Sequence, residues 1–223
     1  YEVAVIIQDG LRRMYKDGED VFYYLSVYNE TLPMPAMPEG AEQGILKGLY
    51  KFKASAQKKK YKAHIFGSGP IIFQALKAQE ILAKYDVSAD VWSATSYKQL
   101  RVDAMAMRRW NMLHPSEKPR LSYLEEVLSK EKGVFVAVSD NMKIVAEQIS
   151  PWVPGGLMAM GTDGFGRSET RENLRRFFEV DAEMTVIGTL WSLSEKAGLP
   201  KSVVAKAMKD LKIDPNKKFP VLV

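Results

Sequence analysis

Apolar residues recur along the chain with two periods, which predicts helices interleaved with short strands. An apolar face with helical spacing predicts a helix over Glu2–Tyr15. Val21–Asn29 is β-branched and aromatic on both faces, as buried parallel strands are, so a strand is expected there. A helix followed by such a strand is half of a βαβ unit. Since the chain starts within the helix and without methionine, we expect a piece of a larger α/β protein.

A proline-rich stretch follows the predicted strand and indicates a domain boundary. Glu30–Gly40 holds three prolines within six positions, and proline removes amide donors and favours extended backbone at its predecessor. We interpret this stretch as a stiff linker, and its methionines, Met34 and Met37, suggest that it lies on apolar surface. The predicted domains are therefore residues 1–38, the end of one domain plus the linker, and residues 39–223.

After the linker, strands and helices alternate regularly. Strands are expected at Leu49–Lys53, Lys62–Gly69, Asp90–Ser96, Gly133–Asp140 and Gly155–Gly164. Helices are expected at Ala41–Gly48, Pro70–Lys84, Asp103–Trp110, Ser122–Lys130, Met142–Ile149, Thr170–Phe178, Ala182–Ala197 and Lys201–Leu211. This alternation predicts an α/β fold of three layers, built on a mostly parallel sheet of about five strands.

Composition narrows the range of functions. Hydrophobic residues make up 46% of the chain and charged residues 26%, which suits a globular domain, and the net charge is +5. One basic run, Gln57–Lys62, is typical of a solvated turn, so nucleic acid is not an expected partner. The absence of cysteine excludes disulfides and thiol nucleophiles and fits a cytoplasmic setting. No apolar run approaches the ~20 residues of a membrane span, so no membrane partner is expected.

The turn Gly67–Gly69 is the first candidate site. It lies between a predicted strand and a predicted helix, where free amides and the helix dipole favour an anion. A dinucleotide fingerprint needs a third glycine, and Ile72 stands at that position. A structural turn, an anion site at Gly67, Ser68 and Gly69, and a cofactor site all remain open, with the structural turn favoured.

The two histidines give little support for catalysis. His64 lies inside a predicted strand, and no spacing typical of a histidine metal site is present. No G-x-S-x-G elbow occurs, although composition alone does not exclude a Ser-His-Asp triad. His114 ends the cluster Arg108–Pro115, which also holds two arginines and a tryptophan. Such a cluster could stack on a ligand, but an interface or core role is favoured.

The stretch "GTDGFGRSETRENLRRFFEVD", Gly161–Asp181, is the second candidate site. Ser168 is expected to cap the helix that begins near Thr170, and Asp163 is expected to pair with Arg167 across the turn.

Three arginines of this stretch are spaced by four residues, so Arg167, Arg171 and Arg175 should share a face. A basic face usually meets carboxylates on a neighbouring surface. Glycine turns at the carboxyl edge of a parallel sheet also bind ligands, and the residue types do not separate these two interpretations.

Several long stretches of the sequence resemble sequences of one enzyme family. "NETLPMPAMPEGAEQGILKGLYKF", "RWNMLHP", "GTDGFGRSETRENLRRFFEVD" and "IDPNKKFP" closely resemble the carboxy-terminal part of the homodimeric, bacterial-type pyruvate dehydrogenase decarboxylating component. That family depends on thiamine diphosphate and belongs to the transketolase-like superfamily. The resemblance covers essentially the whole chain, in order, and implies a transketolase-like carboxy-terminal domain preceded by the last helix and strand of the pyrimidine-binding domain.

The resemblance also implies a function for the parent enzyme. The family decarboxylates pyruvate on thiamine diphosphate, held by Mg²⁺, and transfers the acetyl group to lipoyl groups of an acyltransferase partner. The family's diphosphate signature, glycine-aspartate-glycine followed by asparagines, is absent here, so cofactor, metal and catalytic residues are expected upstream. This part is expected to support the homodimer and to be inactive alone. The alternatives are the terminal domain of a transketolase or of another 2-oxo acid dehydrogenase, or a regulatory anion-binding module.

Overall fold

A five-stranded sheet forms the middle of the protein in a computed structural model that describes all 223 residues. The strands are β1 (Leu49–Lys53), β2 (Tyr61–Gly67), β3 (Val87–Ala94), β4 (Val134–Val138) and β5 (Leu157–Met160). Their spatial order is β1-β3-β2-β4-β5. All neighbours are parallel except the edge strand β1, which pairs antiparallel to β3. The predicted sheet of about five mostly parallel strands is confirmed.

Helices surround the sheet. They are α1 (Glu2–Leu11), α2 (Glu42–Lys47), α3 (Ile72–Leu82), α4 (Tyr97–Leu113), α5 (Tyr123–Leu128), α6 (Lys143–Glu147), α7 (Arg171–Phe177), α8 (Ala182–Lys196) and α9 (Lys201–Asp210). A π-helical turn, Arg12–Lys16, extends α1, and short 3₁₀ turns occupy Gly69–Ile71, Ala83–Tyr85, Ser150–Trp152 and Pro220–Leu222. Each predicted helix is present, and α4 begins six residues earlier than expected. No helix combines the length and the apolar character that crossing a membrane would require.

The central strand β2 shows how the layers are separated. Its side chains alternate between faces, so Ala63 and Ile65 join the core that contains α3, α8 and α9. Phe66 points to the opposite side, into the core that contains residues of α4, α5 and α6. Because β2 is buried on both faces from Ala63 onwards, it is apolar there except at His64, as the strands of parallel sheets mostly are. The result is the predicted three-layer α/β architecture.

Local sequence signals explain where several helices begin. The hydroxyl of Ser122 accepts from the Glu125 amide, and the Glu125 carboxylate accepts from the Ser122 amide, which is a capping box at the start of α5. The Ser96 hydroxyl likewise accepts from the Gln99 amide at the start of α4. Pro70 lies in the 3₁₀ turn before α3, where its missing amide removes no helical bond.

The predicted strand Val21–Asn29 is wrong for this chain. The segment is extended, but from Phe22 to Met37 no backbone group takes part in a backbone–backbone hydrogen bond. The side chains of Phe22 and Tyr24 are each 87% exposed. A strand exists only where another strand satisfies its amides and carbonyls, and none of the five strands lies alongside this segment.

The proline-rich stretch Glu30–Gly40 has no helix or strand, and only part of it lies on apolar surface. Met37 packs against the small core that joins α1, α2 and β1, whereas Met34 is largely exposed.

Candidate functional site

The carboxyl ends of β2 and β4 lie side by side at one edge of the sheet, and we call the space beyond them the crevice. From β2 the chain passes to β3 on one side and then to β4 on the other side, so the connections leave in opposite directions at this point. In open parallel sheets, ligands bind where this reversal occurs. Ser68 and Gly69 follow β2, which ends at Gly67, and Ser139 and Asp140 follow β4. The predicted turn Gly67–Gly69 is thus placed at this crevice.

The crevice is covered by Tyr28, which comes from the extended segment before the linker. A Cβ built on Gly69 would lie 3.3 Å from the edge of the Tyr28 ring, and Gly69 has φ +54°, which favours glycine. The Tyr28 hydroxyl donates to the Asp140 carboxylate. Burial, followed by the bond to Asp140, raises the pKa of Tyr28, so the phenol is neutral. A side chain of this chain therefore fills the usual ligand position.

The next two residues bind the arginine face of α7. Glu30 Oε2 lies 3.3 Å from Arg171 Nε and 3.6 Å from an Arg175 guanidinium nitrogen. Arg171 also donates to the Asn29 side-chain oxygen at 2.7 Å. We call Tyr28–Glu30 the strap. The strap brings Gly69, Arg171 and Arg175, which the sequence suggested separately, into one continuous surface.

The predicted Asp163–Arg167 pair is wrong. Asp163 Oδ1 instead accepts from the backbone amide of Lys143 at 3.0 Å, at the first residue of α6. The Arg167 guanidinium lies 5.4 Å from the centroid of the Phe177 ring. The amide at the start of α6 is a fixed hydrogen-bond donor for Asp163, whereas Arg167 lies before α7 and packs over the Phe177 ring.

The predicted cap at Ser168 is also wrong. Helix α7 begins at Arg171, and the hydroxyl of Thr170 accepts from the Asn173 amide. Both residues are good capping types, and the start of the helical backbone decides between them. Because Arg167 precedes the helix, only Arg171 and Arg175 share the face that meets the strap.

His114 lies away from the crevice. Its ring stacks on Trp110 with centroids 4.3 Å apart, and its Nδ1 donates to the Trp110 carbonyl at 2.8 Å. The Arg120 guanidinium covers the same indole at 3.6 Å. This arrangement ends α4 and braces the loop that follows it, as an anchoring cluster does.

His64 belongs to a buried polar network on the α4 side of the sheet. Its Nδ1 accepts from the Trp92 indole N–H at 3.2 Å, and its Nε2 donates to the Lys132 carbonyl at 3.0 Å. Asp90 lies near the ring but is paired with Lys62 Nζ at 2.6 Å, and Lys51 Nζ binds Glu131 at 2.6 Å. Burial lowers the pKa of His64. The ligand atoms that could surround a metal are therefore already engaged with protein cations and donors.

A second contact joins the amino-terminal residues to the sheet. Glu2 Oε1 accepts from the Tyr50 hydroxyl at 2.8 Å and from the Ser93 hydroxyl at 2.6 Å. Tyr1 and Tyr50 hydroxyls are also 2.7 Å apart. Residues 1–38 are thus attached at β1 and β3 as well as at the crevice.

Sequence reasoning missed the residues that close the crevice. Asp140 was detectable, because it follows β4 directly and carboxyl ends of neighbouring parallel strands share an edge. Tyr28 and Glu30 carried no such signal, since their position depends on where a segment more than 30 residues before β2 in the chain folds back. Tyr97, whose hydroxyl faces the Ser68 side chain, is the first residue of α4, where an aromatic side chain indicates core packing rather than a site.

The fold and this edge define an α/β domain in which a preceding segment of the same chain covers the carboxyl ends of the central strands. Comparison with known families identifies the domain. Residues 48–181 match the family described as the transketolase-like TK C-terminal domain. The chain therefore belongs to the transketolase-like family. Residues 1–35 match the pyruvate dehydrogenase E1 component middle domain.

Curated relatives match over the whole chain. The pyruvate dehydrogenase E1 component of Escherichia coli (strain K12) is 48% identical over 100% of this chain, and that of Pseudomonas aeruginosa is 44% identical over 99%. The Cupriavidus necator protein of the same name is 42% identical over 100% of this chain. The match spans 25% of each of these relatives, so the chain corresponds to about a quarter of their length.

A solved transketolase shares the fold. A Pichia stipitis transketolase in complex with xylulose 5-phosphate superposes with a TM-score of 0.50 at 16% identity, over 74% of this chain and 21% of that chain. A Leishmania mexicana transketolase gives a TM-score of 0.48 at 15% identity, over 71% of this chain and 20% of that chain.

Proposed function

We propose that this chain is the carboxy-terminal part of a pyruvate dehydrogenase decarboxylating component. The observation that carries the proposal is the similarity of the whole chain, at 42–48% identity, to pyruvate dehydrogenase E1 components. The parent enzyme would decarboxylate pyruvate on thiamine diphosphate in the cytoplasm and reductively acetylate the lipoyl groups of its acyltransferase partner.

Within that enzyme, this part would hold domains and subunits in place. Residues 1–38 would be the end of the pyrimidine-binding domain plus the linker, and residues 39–223 the carboxy-terminal domain. The contacts of the strap with Asp140, Arg171 and Arg175 support this role, because they tie the first region to the second by hydrogen bonds and ion pairs. The exposed face of Phe22 and Tyr24 supports pairing with further strands of the parent. The domain would stabilise the homodimer.

The residues of this chain do not fit a diphosphate–Mg²⁺ site. Mg²⁺ prefers carboxylate oxygens that keep water ligands, but Asp90 and Glu131 are neutralised by Lys62 and Lys51. Both ring nitrogens of His64 are already hydrogen-bonded. We therefore place the cofactor, Mg²⁺ and all catalytic groups of the proposed enzyme outside this chain.

Two measurements test the proposal. The purified 223-residue chain, supplied with thiamine diphosphate, Mg²⁺ and pyruvate, should release no carbon dioxide and should give no calorimetric binding of the cofactor. The longer protein that carries this sequence should decarboxylate pyruvate under the same conditions. Carbon dioxide release by the 223-residue chain would refute the assignment of the chemistry to other residues.

The substrate of the longer protein separates the alternatives. If it transferred two-carbon units between sugar phosphates and left pyruvate unchanged, the chain would be the terminal domain of a transketolase instead. Decarboxylation of a larger 2-oxo acid in preference to pyruvate would point to another dehydrogenase of the superfamily.

A further inference from the structure

Two buried hydroxyls beside the turn Gly67–Gly69 face each other without forming a hydrogen bond of normal geometry. The Tyr97 hydroxyl and the Ser68 Oγ are both shielded from solvent and have no hydrogen-bond partner that meets normal geometry. Tyr97 is only 4% exposed, and its hydroxyl faces the Ser68 side chain. A buried hydroxyl without a partner costs roughly 1–3 kcal/mol, so such groups usually serve a ligand or a bound water.

Two backbone donors lie beside these hydroxyls. The amides of Ser68 and Gly69 donate to no backbone or side-chain acceptor. They stand at the start of the 3₁₀ turn Gly69–Ile71, which runs directly into the eleven-residue helix α3. The positive end of the helix dipole and these free amides favour negative charge at this point. The donors thus come from two elements, the turn after β2 and the start of α4.

We propose that the crevice between β2 and β4 is a binding site for a phosphate group, closed by the strap in this structure. Four donors would surround the anion: the amides of Ser68 and Gly69 and the hydroxyls of Ser68 and Tyr97. Arg171 and Arg175 supply positive charge at the same edge, where they now bind Glu30. Because the Tyr28 ring lies over Gly69, the anion binds when the strap moves away.

The strap and the anion compete for the same edge. Asp140 and Glu30 are the acidic groups that face it, and Glu30 leaves with the strap. Binding of phosphate and closure of the strap are therefore coupled with opposite sign. Any change that weakens the strap raises the apparent affinity for phosphate, since the fraction of chains in the competent state increases.

The test is calorimetric titration of inorganic phosphate into the 223-residue chain at constant ionic strength, with chloride as the control anion. Tyr97→Phe and Ser68→Ala each remove one donor and should weaken binding roughly fivefold to tenfold. Tyr28→Ala opens the strap and should strengthen binding. The matched control is Tyr85→Phe, which removes a hydroxyl bonded to Asp210 on another surface. Phenyl phosphate, titrated in parallel, distinguishes a phosphate ester from the free ion.

The pattern of affinities among these variants distinguishes the proposed site from binding elsewhere on the surface. Saturable binding that weakens in Tyr97→Phe and Ser68→Ala but not in Tyr85→Phe supports the site, and so does binding that appears only in Tyr28→Ala. Equal affinity in all these variants would place the anion on surface lysines and overturn the proposal. The absence of saturable binding to both the unaltered chain and Tyr28→Ala would overturn it as well. Tyr97→Phe removes a hydroxyl that lacks a well-formed hydrogen bond, so its circular dichroism should stay unchanged and its thermal midpoint should not fall. None of these outcomes depends on the catalytic activity proposed for the parent.

Discussion

Gly161 lies where the turn after β5 packs against the turn after β4, and replacing it with alanine should disrupt that contact. A Cβ at this position would lie 2.4 Å from the Asn141 carbonyl oxygen and 2.7 Å from the Lys143 amide nitrogen. Both are backbone atoms, so no side chain can rotate away. The same turn holds Thr162, whose hydroxyl donates to the Asp140 carbonyl at 2.7 Å. Gly161→Ala must therefore move one turn relative to the other.

The expected loss of unfolding free energy follows from the steric overlap between the new Cβ and these backbone atoms. Ordinary carbon–oxygen contact needs roughly 1 Å more than this geometry provides, and overpacking of this kind costs about 1–3 kcal/mol, sometimes more. Since two backbone groups are affected, we expect about 3 kcal/mol. For a chain of this size, 1 kcal/mol shifts the thermal midpoint by about 2–4 °C, so the midpoint should fall by about 6–12 °C.

The assay is thermal and urea unfolding followed by circular dichroism. Gly166→Ala is the matched control, because it lies in the same loop and its Cβ would meet nothing within 4 Å. Gly166→Ala should change the free energy of unfolding by no more than about 0.5 kcal/mol. If Gly161→Ala were as stable as Gly166→Ala, the close approach of the two turns would be disproved.

Three further predictions concern single residues. Thr170→Ala should cost about 1 kcal/mol of unfolding free energy, because it removes the cap of α7, whereas Ser168→Ala should cost almost nothing, as urea titration would show. Glu30→Gln should accelerate chymotrypsin cleavage after Tyr28 while global stability changes by no more than about 1 kcal/mol, since the ion pairs are partly exposed; an unchanged cleavage rate would contradict the strap. Burial lowers the pKa of His64 below its usual value of 6.5, so below pH 6.5 the unfolded chain binds a proton that the folded chain does not. The free energy of unfolding should therefore fall as the pH drops below 6.5, by at most about 1.4 kcal/mol per pH unit. Urea titrations across this range should show a shallower slope for His64→Gln, and an equal slope would assign the effect to other groups.

Much of the fold could be predicted because its strands are buried on both faces. β1 has the predicted bounds, and β4 and α8 differ from the predicted bounds only at their ends, since apolar runs and turn residues mark them clearly. Val21–Asn29 has the same apolar character, yet it forms no strand, because strand formation depends on a pairing partner that residue type does not reveal.

The candidate site was less predictable for a related reason. The anion-favouring turn Gly67–Gly69 and the arginine face of α7 are local features, and the structure places both at the edge where parallel sheets bind ligands. The pairing of Asp163 and Arg167 was wrong because two opposite charges in one loop do not specify a partner when helix amides and aromatic faces compete. Closure by the strap depends on contacts over 100 residues apart in the chain, such as Tyr28 with Asp140.

The attachment of residues 1–38 at two separate places limits how this region can move. Glu2 is fixed at β1 and β3, and the strap is fixed at β4 and α7. A region held at one point can rotate about that point, but a region held at two distant points cannot. The amino-terminal region can therefore change its orientation only when one of these two sets of contacts breaks completely, so such a rearrangement would be abrupt rather than gradual.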